Sequence, residues 1–386
     1  MPHTDIYFVA AEPSGDLLAR EVIEEIRRKH PEVRVRGIGG AELSGIGIVS
    51  PIDISPLSVL GFLEGIRAYG DVVKLADAAA EEILQANPKI VVLVDSWGFM
   101  LRLAQRIRAK APAIRLVKLI GPQVWATRPG RAKTLAANVD VLLCMHTIEV
   151  PFYDPYGLKT IVIGNPALSR GGKGDRGRFR RRNGLLEGDV ALLVLPGSRR
   201  SEIARVAPAL MEAAHRVKRA LPGTRLFVQP AESAAGMFAN AFPDAAEQFT
   251  VLTDGVERFD AMAGADIVLA CSGTVTSEVA MQGTPMIVAY KTGWVTWALA
   301  RGLLYKKTHI TLLNILNNDT AIVPEFVQTR QQPELIAAKA MEWIKQPGAL
   351  QQQKEAQARA LAQLLEKETP AAVLAAGAIL DELQIA

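Results

Sequence analysis

The sequence predicts an α/β protein built as two doubly wound parallel-sheet domains that face each other across a cleft. Three observations carry this. Short β-branched or apolar runs alternate with stretches whose apolar residues recur every three or four positions. The runs are almost continuously apolar, as strands covered on both faces must be. The alternation breaks once, at a Gly- and Arg-rich stretch near the middle, and then restarts. A length of 386 residues suits two domains, each able to bury its own core.

In the first half, Ile6–Ala10, Val33–Gly37, Ile90–Asp95, Arg115–Ile120, Val139–Cys144 and Thr160–Gly164 read as strands, with helices over Asp16–Lys29, Asp71–Ala86 and Leu101–Lys110. The segment SRGGKGDRGRFRRRNG has no period and reads as an interdomain linker over 170–182. It separates an N-terminal domain, 1–169, from a C-terminal domain, 183–365. In the latter, Val190–Leu195, Arg225–Gln229, Phe249–Leu252, Ile267–Cys271 and Pro285–Ala289 read as strands, with helices over Arg199–Leu221 and Thr274–Gln282. The tail is helical from Pro333, and its last helix, 366–386, is expected to pack back on the N-terminal domain.

Composition narrows the class. With 49% hydrophobic and 22% charged residues, disorder and coiled coil are excluded. Cys144 and Cys271 both lie in apolar runs, so they read as buried thiols of a cytosolic protein rather than a disulfide pair or a zinc site. The opening MPHTDIYFVAAEPSGD has no basic stretch followed by an apolar core, so no signal peptide is expected. No apolar run is long enough to span a bilayer. The net charge of +4 is concentrated: seven basic residues against one acid lie between Arg170 and Arg182, and nine with no acid lie between Leu101 and Val139. Such faces suit an anionic membrane or a phosphorylated substrate. No nucleic-acid-binding signature accompanies them, so nucleic acid is not expected as a partner.

Ligands of open parallel sheets bind beyond the C-terminal strand ends, so those loops hold the candidates. In AAEPSGD, Asp16 or Ser14 can cap the following helix, and the carboxylate of Asp16 would repel a phosphate, which favours a sugar or acceptor role. The glycines of GIGGAEL, Gly37–Leu43, allow close backbone approach to a ligand. Asp95 ends the run IVVLV, where a partly desolvated carboxylate can accept a proton; capping of the next helix is the competing role. In LPGSRRSEI, Gly197, Ser198 and Arg199 turn a strand into a helix start whose free amides, beside a guanidinium, suit an anion. Ser272, Gly273 and Thr274 repeat that arrangement, and Glu278 lies one turn on, able to accept hydrogen bonds from vicinal sugar hydroxyls or simply to complement the helix dipole. Two anion-suited helix starts and a carboxylate suggest a nucleotide diphosphate-sugar. The sequence has no Asp-x-Asp and no His/Asp/Glu cluster at ligand spacing, so neither a metal nor another cofactor is expected.

These residues resemble the lipid-A-disaccharide synthase family, inverting glycosyltransferases of GT-B fold. The resemblance spans nearly the whole chain: AAEPSGD, LSVLGFLEGI at Leu57–Ile66, Asp95, PQVWATRPGRAK, IGNPALS, LPGSRRSEI, SGTVTSEVAMQGTPMIVAYK and the stretch Asn314–Gln328. It implies transfer of a diacylglucosamine unit from UDP-2,3-diacylglucosamine to the 6-hydroxyl of 2,3-diacylglucosamine 1-phosphate, releasing UDP. Asp95 would be the general base. Gly197, Ser198, Arg199, Ser272, Gly273, Thr274, Glu278, Asn314 and Gln328 would bind the UDP-sugar, and Glu12, Ser14, Asp16, Glu64, Trp125, Arg128 and Asn165 the acylated acceptor.

The sequence departs from the family at Ser96-Trp97-Gly98 in place of Ala-Pro-Asp, at Thr127 for a second tryptophan, and at Asn165 for histidine. All three lie in the acceptor half. The alternatives are therefore a divergent member glycosylating another lipid acceptor, or an isomerase like the UDP-GlcNAc 2-epimerases. Acylated substrates imply a cytoplasmic protein peripheral on the inner face of the bacterial inner membrane. Two segments have the composition of interfacial helices: Leu57–Ile66, and Gly293–Lys307 with Trp294 and Trp297 among lysines and arginines.

Overall fold

The computed structural model describes residues 4–54, 69–125, 127–170, 172–252, 257–294, 297, 308–364 and 369–385. The chain divides into two units, Met1–Ser169 with Lys367–Ala386, and Arg170–Glu366.

The first unit holds six parallel strands, β1 (Ile6–Ala10), β2 (Val35–Ile38), β3 (Ile90–Val94), β4 (Arg115–Leu119), β5 (Val141–Cys144) and β6 (Lys159–Val162), in the order β2-β1-β3-β4-β5-β6. Successive side chains of a strand point to opposite faces, so the apolar runs fill two layers. Tyr7, Val9, Val91 and Leu93 meet Ala80 and Ile83 of helix α1 (Tyr69–Ala86) and Leu103 and Ile107 of α2 (Trp97–Lys110). Ile6, Phe8, Val92 and Val94 meet Val22, Ile23 and Ile26 of the helix Pro13–Lys29, together with Ala375 and Ile379 of the C-terminal helix Ala371–Ile385. That last helix is pinned by Glu382. Burial works to raise its pKa, but hydrogen bonds from Lys159 and Arg115, each 2.6 Å long, win and hold the carboxyl below its usual range.

The second unit repeats the plan with β7 (Val190–Leu195), β8 (Thr224–Val228), β9 (Thr250–Val251), β10 (Ile267–Cys271), β11 (Met286–Tyr290) and β12 (Glu325–Val327), all parallel, in the order β12-β11-β10-β7-β8-β9. The single helix expected over Arg199–Leu221 is two, Arg200–Arg205 and Ala207–Ala220, because Pro208 supplies no amide and restarts the helix.

The expected linker is not a linker. Arg176–Arg182 is a helix of the second unit, capped by Asp175, whose side chain accepts the Arg178 amide at 2.8 Å. Phe179 is buried edge-on against Phe227, ring centres 5.0 Å apart, and a Cβ on Gly264 would stand 2.2 Å from its ring. Arg178 pairs with Asp260, Arg176 and Arg180 with Asp266, and Arg182 with Glu257. The charge run reads as a free basic face in sequence, but four of its arginines are spent on acids of their own unit. Cys144 and Cys271 are buried thiols, not joined in a disulfide. Among the described residues no helix is long and apolar enough to cross a membrane.

Candidate active site

In each sheet the chain reverses its winding direction at one point, and a crevice opens there beyond the strand ends. In the first unit that point lies between β1 and β3, which lead through Ala11 and Glu12 into the helix Pro13–Lys29 and into Asp95. Asp95 and Ser96 both take left-handed conformations, φ +48° and +37°, sparsely populated for such residues and a recurrent feature of functional sites. The turn is held by the Asp95 amide on the Leu119 carbonyl, 2.8 Å, and by Lys118, whose ammonium donates to the carbonyls of Leu93, at 3.2 Å, and of Asp95. The Asp95 side chain is half-buried, and Ser96, not Asp95, stands at the cap position of α2. A Cβ on Gly15, in the first turn of the helix Pro13–Lys29, would lie 3.9 Å from that of Asp95, so the two segments pack side by side at ordinary contact distance.

Asp16 is not an acceptor ligand. It is buried, and its carboxylate accepts the amides of Gly40 and Glu42 at 2.9 and 2.8 Å. Nor does it cap its own helix, which begins earlier, at Pro13 with Glu12 at the cap. The glycines of GIGGAEL serve the same contact: a Cβ on Gly39 would meet an Asp16 oxygen at 2.5 Å. Glu12, at the helix cap, and Ser14, in the first turn, remain exposed.

Trp125 is buried with an indole N–H that has no acceptor among the described residues. Arg128, at φ +48°, is exposed near Arg131, which lies over the Trp97 ring at 5.0 Å. Burial lowers the Arg131 pKa, and the charge of Arg128 lowers it further, a pairing of cations that suits an anion. Asn165 uses its oxygen to cap the short helix Pro166–Ser169 through the Ala167 amide, 3.0 Å. Glu64 and the segment Leu57–Ile66 lie outside the described residues, as does most of Gly293–Lys307.

In the second unit the reversal lies between β7 and β10, and a cavity of about 570 Å³ opens there. It is lined by Gly197, Ser198 and Arg199 beyond β7, by Ser272, Gly273 and Thr274 beyond β10, and by Glu278. The two helix starts differ from expectation. The Ser198 and Arg199 amides are not free: the buried carboxylate of Glu202 accepts both, at 2.8 and 3.2 Å, and also accepts the Ser198 hydroxyl at 3.5 Å and the Arg199 guanidinium at 3.1 Å, although the Arg199 side chain stays 77% exposed. Gly197 is required there, at φ +116° with Glu202 closing over it. At Thr274–Met281 the Thr276 amide bonds the Gly273 carbonyl at 3.1 Å, while the amides of Thr274 and Val275 have no intrahelical acceptor and stand at the cavity with Ser272. Glu278 is ion-paired with Arg258, whose own pKa burial lowers.

Asn314 and Gln328 do not line that cavity. Asn314 is 0% exposed, and its amide is fully used by Val323, Ile322 and Glu325. Gln328 bonds both main-chain groups of Thr292. Both act on the main chain that shapes the unit rather than on a ligand.

The profile of the lipid-A-disaccharide synthetase family matches residues 6–378. The chain belongs to that family. A lipid-A-disaccharide synthase of Paramagnetospirillum magneticum is 33% identical over 97% of both chains, and one of Anaeromyxobacter dehalogenans is 36% identical over 86% of both. Among solved structures, MurG of Acinetobacter baumannii superposes with a TM-score of 0.59 over the full length of both chains at 14% identity. UDP-GlcNAc 2-epimerase of Neisseria meningitidis bound to UDP-GlcNAc gives 0.57 over 99% of both at 12%. At such identities they speak for the fold, which is GT-B. As a lipid-A-disaccharide synthetase family member, the chain is a glycosyltransferase of lipid A biosynthesis.

Several residues of this family member's site were not legible beforehand. Lys118 interrupts the apolar strand RLVKL, a signal that could have been read. Gln229 ends β8 as Asp95 ends β3; it is 7% exposed, lines the cavity, and its carbonyl oxygen has no donor among the described residues. Glu202, Arg258 and Arg131 carry no local signature, because their roles depend on partners brought together by the fold.

Proposed function

We propose that the enzyme transfers the sugar of UDP-2,3-diacylglucosamine to the 6-hydroxyl of 2,3-diacylglucosamine 1-phosphate, with inversion. The N-terminal unit holds the acceptor and the C-terminal unit the donor. The carboxylate of Asp95 takes the proton of the acceptor hydroxyl as its oxygen attacks the anomeric carbon. The bond from that carbon to the UDP oxygen breaks on the opposite face, which inverts the centre in one displacement. The charge gathering on the departing diphosphate is met by the first-turn amides at Thr274 and by Arg199, with no metal required. Glu278 turns from Arg258 to the ribose hydroxyls.

The observation that most supports this is the position of Asp95, a half-buried carboxylate on a strained turn at the reversal point of a family-matched sheet. Its test is UDP release from the donor with and without the lipid acceptor. Release that depends on the acceptor supports transfer, whereas turnover of a UDP-sugar without it points to an isomerase. Trp97, stacked under Arg131 where the family has another residue, favours a second reading in which the acceptor is a different anionic lipid; a panel of acylated acceptors decides between them.

Arg199→Ala is expected to weaken UDP binding by about 1.5–3 kcal/mol, the range of a charge-assisted hydrogen bond, in calorimetric titration. EDTA is expected to leave turnover unchanged, and a requirement for Mg²⁺ would contradict the metal-free reading.

The same substrates place the protein at a lipid surface. Trp294 is 62% exposed beside the exposed Lys291, the pairing of an interfacial anchor. Binding to anionic vesicles in co-sedimentation is expected to fall with added salt, each basic group contributing on the order of 1 kcal/mol, and to fall again in Trp294→Ser. Wild-type protein that ignores such vesicles would reject the interfacial role.

A further inference from the structure

Lys118 is 2% exposed in the middle of a parallel sheet, a position that Leu or Val would fill at lower cost. Its neighbours across the sheet, Leu93 and Leu142, are apolar. It points to the same core layer as Leu116, Tyr153 and Cys144, and burial pushes the Tyr153 phenol up, so that group is neutral. The charged groups that act on the amine are two carboxylates from separate elements: Asp95, just beyond β3, and Glu12, at the start of the helix Pro13–Lys29. Its two hydrogen bonds go to main-chain carbonyls of Leu93 and Asp95, the second being the residue whose left-handed conformation aims the proposed base. A buried cation is therefore bonded to the backbone of the turn and electrostatically coupled to its side chain.

We propose that Lys118 is a positioning residue for Asp95: its ammonium grips the turn that presents the carboxylate. This rests on the reading of Asp95 as the base. Burial pushes the amine down to about 7, against the pull of Asp95 and then Glu12, so its charge is poised near neutral pH.

The test compares the full-length wild type, Lys118→Met and Asp95→Asn by acceptor-dependent UDP release across pH, with UDP affinity measured by calorimetry. Lys118→Met is expected to lower kcat about tenfold or more while UDP affinity, a property of the other unit, stays as in the wild type. The alkaline limb of the wild-type kcat profile, where the Lys118 amine loses its proton near pH 7, is expected to be missing from the profile of Lys118→Met. A purely structural lysine would leave that limb in place. Folded Lys118→Met with wild-type kcat and an unmoved limb overturns the inference.

A second measurement needs no variant at Lys118. The lysine ¹³Cε signal of Lys118 is expected to titrate near 7 in the wild type and lower in Asp95→Asn. A midpoint near the ordinary value of about 10.4, or one blind to Asp95→Asn, overturns the inference. The two readings fail separately. Normal turnover in Asp95→Asn removes the base itself, whereas a slow Asp95→Asn beside an unaltered Lys118→Met removes only the role of the lysine.

Discussion

Asp95→Asn lowers acceptor-dependent UDP release by about 10²–10⁴-fold, the usual contribution of a positioned general base. The amide is nearly the same size, so the turn held by Leu119 and Lys118 can persist, and only the ability to take a proton is removed. UDP affinity stays as in the wild type, since the cavity proposed to hold the nucleotide belongs to the other unit. The loss therefore falls on kcat rather than on donor binding. Turnover close to that of the wild type would show that another group accepts the proton.

Phe179→Ala destabilises the second unit by about 3–5 kcal/mol, read as a lower midpoint of urea unfolding. The ring is the one buried side chain of the helix Arg176–Arg182, seated on Phe227 and over Gly264. Its removal leaves a cavity that backbone on one side and a sheet on the other cannot collapse to fill. The paired arginines around it are half-exposed, so their ion pairs add little beside this burial. A change below about 1 kcal/mol would mean that this helix contributes no packing to the unit, as a linker would not.

That helix also shows where sequence reading stops. Ile6–Ala10, Val190–Leu195 and Ile267–Cys271 are legible to the residue, because a strand covered on both faces must be apolar throughout. Arg176–Arg182 carries one apolar residue among arginines, and the acids that neutralise it, Asp260 and Asp266, lie 82 and 90 positions downstream of their partners Arg178 and Arg176. No local period records such a match. The strand Glu325–Val327 was missed for a related reason: three residues after a proline are too few to show a pattern.

The site divides along the same line. Asp95, Arg199, the turn Ser272–Thr274 and Glu278 stand out in the sequence as candidates because strand-end loops are where parallel sheets place ligands, and the structure brings the last three of these features to one cavity. Asp16, Asn314 and Gln328 look like ligand-binding polar residues in sequence. In the fold, Asp16 and Asn314 are buried on main-chain amides, and Gln328 is turned to Thr292. A polar side chain in a loop serves the backbone as readily as it serves a substrate, and only its hydrogen-bond partners tell which. Lys118 is the converse: a polar residue hidden in an apolar strand, whose meaning appears only once Asp95 is seen beside it.

The central claim is sugar transfer between two acylated glucosamines. Mass spectrometry of the lipid formed by the purified enzyme from UDP-2,3-diacylglucosamine and a panel of acylated acceptors tests it most directly. The expected product with 2,3-diacylglucosamine 1-phosphate is a tetraacyl disaccharide monophosphate, formed one for one with UDP. A product only from a different acceptor, or conversion of the UDP-sugar with no new lipid at all, would contradict it.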